Sequence, residues 1–277
     1  ALMTDQVGRL KSHGIAAEAL HSGLSSGEIN NILFEAHKGN VKLLYVAPER
    51  IESQTFREQI STVSFSLVAV DEAHCISEWG HEFRPAYRNI TKIFEKRQRI
   101  PIAAFTATAT PDVRTDIAKS LELREHVEII RGFDRPNLAF RVEQDPHKTE
   151  WISRVAKKHP EDTMIVYAGS RRRVDTMSEE LNKRGVNALA YHAGKPPHIR
   201  SAVQEQFLAD RAQVLVATNA FGMGIDKPDV RHVVHADLTL TLEAYYQEAG
   251  RAGRDGDDAT CTLLYHSTDR RLMDFFI

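Results

Sequence analysis

Asp71-Glu72-Ala73-His74 follows directly on the run Ser66-Leu67-Val68-Ala69-Val70, and two adjacent acids at a strand tip suggest two chemistries. In an extended strand neighbouring side chains leave on opposite faces, so these acids suit the facing carboxylate pair of a glycosidase only if the strand has already ended. At a strand end, one carboxylate can hold Mg²⁺ through its water shell while the next reaches an attacking water, which is the acidic half of an NTPase site. A bare Asp-Glu pair is usually a solvated loop, so the flanking residues decide. Trp79, His81, Phe83 and Arg84 lie among Glu78, Glu82 and Arg88, a setting too polar for an ordinary core segment. Aromatic faces there can stack on bases at about 1–3 kcal/mol each, with an Arg beside them for phosphate, and an exposed loop is expected. Near the other end of the chain Arg251 and Arg254, three apart and separated by small residues, share one helical face or turn and can reach into a cleft.

Short β-branched runs alternate with helical periods throughout, which predicts strand-helix-strand units around parallel sheets. In the first half, strands are expected at residues 41–46, 65–70 and 100–105, with a strand-like run at 127–130. In the second half they are expected at 164–167, 188–191, 214–217 and 232–235, nearly continuous in apolar residues as befits strands covered on both faces. Thr110 and Pro111 open a helix whose Val113, Ile117 and Leu121 share a face. Val174, Met177 and Leu181 mark a helix stopped at Gly185, and Ile199, Val203 and Phe207 mark another. Residues 131–144, broken by Gly132, Asp134, Pro136 and Asn137, form the expected seam between two α/β lobes. Ligands of such sheets bind beyond the carboxyl ends of strands, which puts function in the loops just after them.

The 277 residues, 42% hydrophobic and 27% charged, are those of an ordinary globular protein long enough for two domains. With 36 Lys and Arg against 38 Asp and Glu, a polyanionic partner must be held by a local basic stripe rather than by bulk charge. Cys75 and Cys261 cannot by themselves supply a four-ligand zinc site or a disulfide framework, so a reducing cytosol is expected. No apolar run approaches the roughly 18 residues that span a bilayer, and Asp5 sits where a signal peptide would be apolar.

The long segment from Asp71 through Arg88 resembles the DEAH motif and aromatic-rich loop of RecQ-type DNA helicases, a branch of the superfamily two helicases. That resemblance implies Asp71 as the Mg²⁺-associated acid, acting through water, and Glu72 as the base that activates the attacking water. It implies His74 as a link between hydrolysis and nucleic-acid contact, and Trp79, His81, Phe83 and Arg84 as sensors of single-stranded DNA. Leu2 to Val7 resembles motif Ia of that family, and Ala47-Pro48-Glu49-Arg50 resembles motif Ib, both of which lie against the DNA backbone. Phe105 to Thr110 resembles motif III, with Thr106 and Thr108 as coupling hydroxyls. Phe133-Asp134-Arg135-Pro136-Asn137 resembles the inter-lobe link.

In the second lobe, Tyr167 to Arg171 resembles motif IV, with Ala168 where Cys is common, and implies DNA contacts at Ser170 and Arg171. Tyr191-His192-Ala193-Gly194 also matches, although Lys195-Pro196-Pro197 departs from the usual continuation. Ala217 to Pro228 resembles motif V, placing Thr218 on DNA and Gly224 and Asp226 at the nucleotide, where Asp226 can accept a hydrogen bond from ribose. Tyr245 to Gly256 resembles motif VI, with Arg254 as the arginine finger, Arg251 as its phosphate-binding companion and Gln247 as a sensor.

The fold implied is two RecA-like open parallel-sheet lobes with helices on both faces, the first lobe N-terminally truncated. Residues 1–136 would be the partial ATP-binding lobe and 137–277 the helicase C-terminal lobe, with acids of one meeting arginines of the other across a triphosphate. No Gly-x-x-x-x-Gly-Lys-Ser/Thr occurs, since Gly194-Lys195 fails at both ends; the family's P-loop lies upstream of motif Ia, and its zinc-binding and winged-helix regions follow motif VI, so the resemblance implies no zinc in this segment. The expected parent is therefore an ATP- and Mg²⁺-dependent 3′-to-5′ DNA helicase of recombination and repair. It would be cytoplasmic, nucleoid-associated if bacterial, and would act on single-stranded and partly duplex DNA, with this segment inactive alone. The alternatives are a non-catalytic single-stranded nucleic-acid-binding module that lacks a P-loop, and an RNA-directed relative that the RecQ-like motif VI disfavours.

Overall fold

A computed structural model describes residues 2–21, 23–78, 83–93, 100–132, 134–145, 147–222, 227–266 and 269, the side chains of Leu2 and Asp5 aside. Trp79, His81, Gly224 and Asp226 therefore lie outside the described residues. The chain divides into two compact units, Ala1–Ile130 and Arg131–Ile277. The division falls six residues before the boundary at 136/137 expected from the sequence, because Arg135 and Asn137 both hydrogen-bond to backbone of the second unit.

The first unit runs α1 (Leu2–Ser12), β1 (Ala17–Leu20), α2 (Ser26–His37), β2 (Leu43–Val46), a 3₁₀ turn at Pro48–Glu52, and α3 (Gln54–Ile60). It continues with β3 (Val68–Val70), 3₁₀ turns at Ala73–Ile76 and Pro85–Ile93, β4 (Ile102–Ala104), and α4 (Pro111–Ser120). Ser25 and Glu28 form a reciprocal capping box at α2, and the Thr110 hydroxyl accepts from Val113 N at 3.4 Å to start α4. The strands form two parallel pairs, β1 with β2 and β3 with β4, rather than one ladder. Side-chain packing unites them: Leu20, Val70, Ile29, Phe56, Ile60, Val113 and Leu121 belong to one buried cluster. The strand-like run 127–130 is not a strand; Val127 and Ile129 are each 84% exposed, so an apolar pattern without a partner ladder forms none.

The second unit comprises β5 (Leu138–Gln144), α5 (Lys148–Lys158), β6 (Thr163–Tyr167), α6 (Arg171–Lys183), β7 (Ala188–Tyr191), and α7 (Pro197–Leu208). It ends with β8 (Val214–Ala217), β9 (Val230–His235), α8 (Leu242–Ala249) and β10 (Ala259–Tyr265). Its strands form a six-stranded sheet in the order β5-β10-β9-β6-β8-β7, every pair parallel. Alternation along the strands explains the two helical layers. Ile165, Tyr167, Leu215 and Ala217 face Phe207 of α7 and Ala249 of α8, while Met164, Val166, Val214 and Val216 face Ile152 of α5 and Val174, Met177 and Leu181 of α6. Chain reversals after β6 and β8 thus deliver Ser170 and Thr218 to the carboxyl edge of the sheet. No helix among the described residues is long and apolar enough to cross a membrane.

Candidate active site and nucleic-acid interface

In the first unit the strand has ended before the acids. Val70 is the last residue of β3, and Asp71 and Glu72 form a turn in which Glu72 is left-handed at φ 49, ψ 42. A non-glycine residue in that region carries roughly 1–2 kcal/mol of strain, and the neighbouring backbone bonds hold it there. Phe105 N donates to Val70 O at 2.8 Å, Ala73 N to Phe105 O at 2.9 Å, and Cys75 N to Glu72 O at 2.9 Å. Glu72 N donates to Asp71 Oδ1 at 2.9 Å. Asp71 is exposed and Glu72 half-buried, so adjacent acids present different environments at one strand tip.

His74 carries the contact inward. It is 1% exposed, its Nδ1 lies 3.4 Å from Glu72 Oε2 and 2.9 Å from Thr106 Oγ1, and the Thr106 hydroxyl donates to Thr108 O at 3.1 Å. With the threonine proton committed to that carbonyl, the network assigns the His74 Nδ1 proton as donor to Thr106 Oγ1. Asp71, Glu72, His74, Thr106 and Thr108 are thereby brought together through contacts spanning β3 and β4. Thr108 Oγ1 is buried with no hydrogen-bond partner among the described residues.

Of the expected aromatic loop, Phe83 and Arg84 are described and half-buried. The Arg88 guanidinium sits 4.9 Å from the Phe83 ring centre and pairs with Glu78 at 2.9 Å. One ring face is thus occupied by a cation–π contact. Arg84 N donates to Cys75 O at 2.8 Å, which ties the loop back to the turn bearing His74. Burial pushes the Tyr87 hydroxyl up, with Cys75 a lesser cause. Pro48 opens its 3₁₀ turn half-buried and Glu49 is exposed, while the Arg50 guanidinium reaches His21 O and Leu24 O to brace the loop after β1.

In the second unit Ser170 caps α6, its hydroxyl accepting from Arg173 N at 3.3 Å, so part of its polar capacity is spent on the helix. Arg171 is exposed, and Arg173 Nε lies 3.2 Å from Asp237, which also accepts from Gly169 N at 2.8 Å. Asp175 holds Lys195 and His192, each at 3.0 Å. Burial raises its carboxyl, but hydrogen bonds from Lys195 and His192 outweigh burial and hold it below the usual range. Thr218 is half-buried; its carbonyl accepts from Phe221 N at 2.9 Å and its hydroxyl from Ala220 N at 3.3 Å, closing the turn after β8.

Arg251 and Arg254 occupy the turn after α8, which ends at Ala249, rather than a helical face; Gly250 caps the helix. Arg251 is 6% exposed, Arg254 exposed and Gln247 half-buried. Arg251 packs so closely on Gly222 that an added Cβ would sit 3.2 Å from its Nη2 and 2.9 Å from Asn219 O. Tyr167 donates to Phe221 O at 2.9 Å. Burial pushes the Tyr167 hydroxyl up, against the nearby Arg251 cation. His235 stacks on Tyr167 with ring centres 5.4 Å apart and pairs through Nε2 with Glu248 at 2.9 Å. Arg251 Nε is buried without an acceptor among the described residues. An orphaned guanidinium nitrogen is the chemistry that a phosphate oxygen satisfies.

The sequence reading missed what holds this turn. Arg135 Nη2 donates to Ala252 O at 3.2 Å and Gly253 O at 2.9 Å, and Asn137 Nδ2 donates to Gly253 O at 2.8 Å and Asp257 O at 2.9 Å. The residues read as a seam therefore anchor the arginine turn, and their cation lies against carbonyls beyond a helix C-terminus. The Arg135-Pro136-Asn137 segment was the available signal.

Comparison with known proteins places the chain among helicases by similarity. The DEAD/DEAH box helicase family matches residues 1–117 and the helicase conserved C-terminal domain matches 147–256. The ATP-dependent DNA helicase RecQ of Bacillus subtilis is 44% identical over all of this chain and 47% of its own length. The RecQ-like DNA helicase BLM of Xenopus laevis is 42% identical over 97% of this chain and 20% of its own. The chain thus spans just under half the length of the first of these relatives. Among solved structures, the Saccharomyces cerevisiae Dbp5 L327V variant bound to RNA and ADP BeF3 aligns with a TM-score of 0.74 at 15% identity, covering 99% of this chain and 71% of that one. The DUF1998 helicase MrfA bound to DNA aligns at 0.72 and 17%, covering 99% and 43%. At that identity the likeness shows the fold, which is RecA-like. The chain-long identity goes further: along its whole length this chain is similar to RecQ-type DNA helicases, and it carries matches to the two helicase domains of a superfamily two core.

Proposed function

We propose that the protein to which this segment belongs is an ATP-dependent 3′-to-5′ DNA helicase that couples hydrolysis to unwinding in recombination and repair. Residues 1–136 serve as the partial ATP-binding lobe and 137–277 as the helicase C-terminal lobe, acting on single-stranded and partly duplex DNA in the cytoplasm. The observation that carries this reading is Arg251, buried against Gly222 with its Nε unsatisfied, in a unit whose partner unit supplies a strand-end acid pair wired to Thr106.

In this reading Asp71 holds Mg²⁺ through water, and the cation, when bound, neutralises charge on the phosphates. Glu72 accepts a proton from the attacking water as its oxygen bonds to the γ-phosphorus and the bond to the ADP oxygen breaks. Arg251 binds phosphate oxygens and Arg254 stabilises the charge that develops, an effect on the order of 10³–10⁵ in rate. Gln247 senses the nucleotide, which Gly224 and Asp226 help to bind. The His74–Thr106–Thr108 contacts transmit its state to the DNA-binding residues Trp79, His81, Phe83, Arg84, Pro48, Glu49, Ser170, Arg171 and Thr218.

The test uses the longer protein with its P-loop. Glu72→Gln is expected to abolish DNA-stimulated ATPase while nucleotide binding persists, and unchanged turnover would reject Glu72 as the base. An in-frame P-loop upstream of Ala1 supports the enzyme; a start codon at or just before Ala1 supports the non-catalytic binding module.

A further inference from the structure

His159, Asp162 and His232 come together at the amino-terminal side of the second unit's sheet, far along the strands from Ser170 and Thr218. His159 caps the C-terminus of α5, Asp162 precedes β6 and His232 is the third residue of β9. Asp162 Oδ2 lies 3.0 Å from His232 Nε2 and 3.6 Å from His159 Nδ1, and one ligand atom from each residue falls within 4.8 Å of the others. No other group of three His, Cys, Asp or Glu among the described residues meets that condition. Metal–ligand bonds of 2.0–2.2 Å at tetrahedral angles separate adjacent donor atoms by about 3.3 Å, and the two measured separations bracket that value.

The backbone is shaped for this convergence. Thr163 pairs with Val230 but Met164 pairs with His232, so one residue, Arg231, is extra on β9 at this point. A bulge re-aims side chains, and it is uncommon in parallel pairs. The loop carrying the other two residues is pinned from a third element, because Gln213 Nε2 donates to Ala156 O at 2.7 Å and to His159 O at 2.8 Å. Asp162 N also donates to His159 O at 3.2 Å. All three side chains are part-buried, with the His159 and His232 ring centres 5.4 Å apart.

We propose that His159, Asp162 and His232 bind one first-row divalent transition-metal cation, with Zn²⁺ as the representative, cross-linking the α5–β6 loop to β9. Two imidazoles and one carboxylate suit such a cation over Mg²⁺ or Ca²⁺, and water completes the coordination. The expectation of no zinc rested on the family's zinc-binding region lying beyond motif VI; this donor set spans two histidines 73 residues apart and emerges only on folding. It rests on none of the helicase reading.

The test is calorimetric titration of the 277-residue chain with Zn²⁺ in excess Mg²⁺, paralleled by Co²⁺ titration read by visible absorption. One Zn²⁺ per chain is expected, with a tetrahedral or five-coordinate Co²⁺ spectrum. Loss of an outer-shell partner weakens metal sites 10–100-fold, so removal of a direct ligand is expected to weaken binding about 100-fold or more. Asp162→Asn and His159→Gln each probe this, and both side chains are exposed enough that the fold survives, as circular dichroism verifies. A loss smaller than tenfold in either folded variant, or an unchanged six-coordinate aqueous Co²⁺ spectrum, would overturn the proposal.

Discussion

Gly253 is the position at which the arginine turn is most sensitive to a single methyl group. Its φ is +53, and an added Cβ would lie 2.5 Å from Asn137 Nδ2, 2.6 Å from Asp257 O and 3.2 Å from Ala259 Cβ. Gly253→Ala therefore combines a left-handed penalty of about 1–2 kcal/mol with displacement of the Asn137 amide from both of its acceptors. At about 0.5–1.5 kcal/mol for each hydrogen bond, the whole effect is about 2–5 kcal/mol. Gly256→Ala is the control, because its φ is +92 but nothing lies within 4 Å of the new Cβ, so it carries the backbone penalty without the clash. Urea unfolding followed by Trp151 fluorescence reads the second unit in a Trp79→Phe background, those being the two tryptophans of the chain. A Gly253→Ala loss no larger than that of Gly256→Ala would refute the clamp formed by Asn137.

Three further predictions follow from local geometry. Gly8→Ala, in the interior of α1 with no atom within 4 Å of its new Cβ, is expected to stabilise the first unit by about 0.5–1 kcal/mol; destabilisation in urea melts would contradict that. Thr106→Val leaves buried His74 without its hydroxyl partner and is expected to cost about 1–3 kcal/mol, whereas unaltered unfolding would remove that bond from the account. Asp175 has a folded-state pKa below its unfolded value of 3.8, so its stabilisation is present above about pH 4 and is lost as pH falls through the folded value. The stability difference between wild type and Asp175→Asn is therefore expected to shrink on acidification below pH 4, and a constant difference would rule out the ion-pair contribution.

The parts of the fold legible in the sequence are those whose residues face apolar neighbours on both sides. β7 and β8 have the expected bounds because their runs are continuous and covered by helices. β5 was missed because it carries Arg141, Glu143 and Gln144 and is exposed beyond Leu138, so its apolar run is not continuous. The 127–130 run failed in the opposite way, being apolar yet unpaired and exposed. At the candidate site, Asp71, Glu72, Arg251 and Arg254 stand out by type and spacing. The supports of that site do not: Arg135 reaches carbonyls more than 110 residues away, and His235 meets Glu248 only when β9 packs on α8.

The central claim is that arginines of the second unit act on the phosphates hydrolysed with Glu72 as base. Its most direct test is kcat for DNA-stimulated ATP hydrolysis by Arg254→Ala in the longer protein. The account predicts a fall on the order of 10³–10⁵, with nucleotide affinity changed less than about tenfold. A kcat within about tenfold of wild type would contradict it.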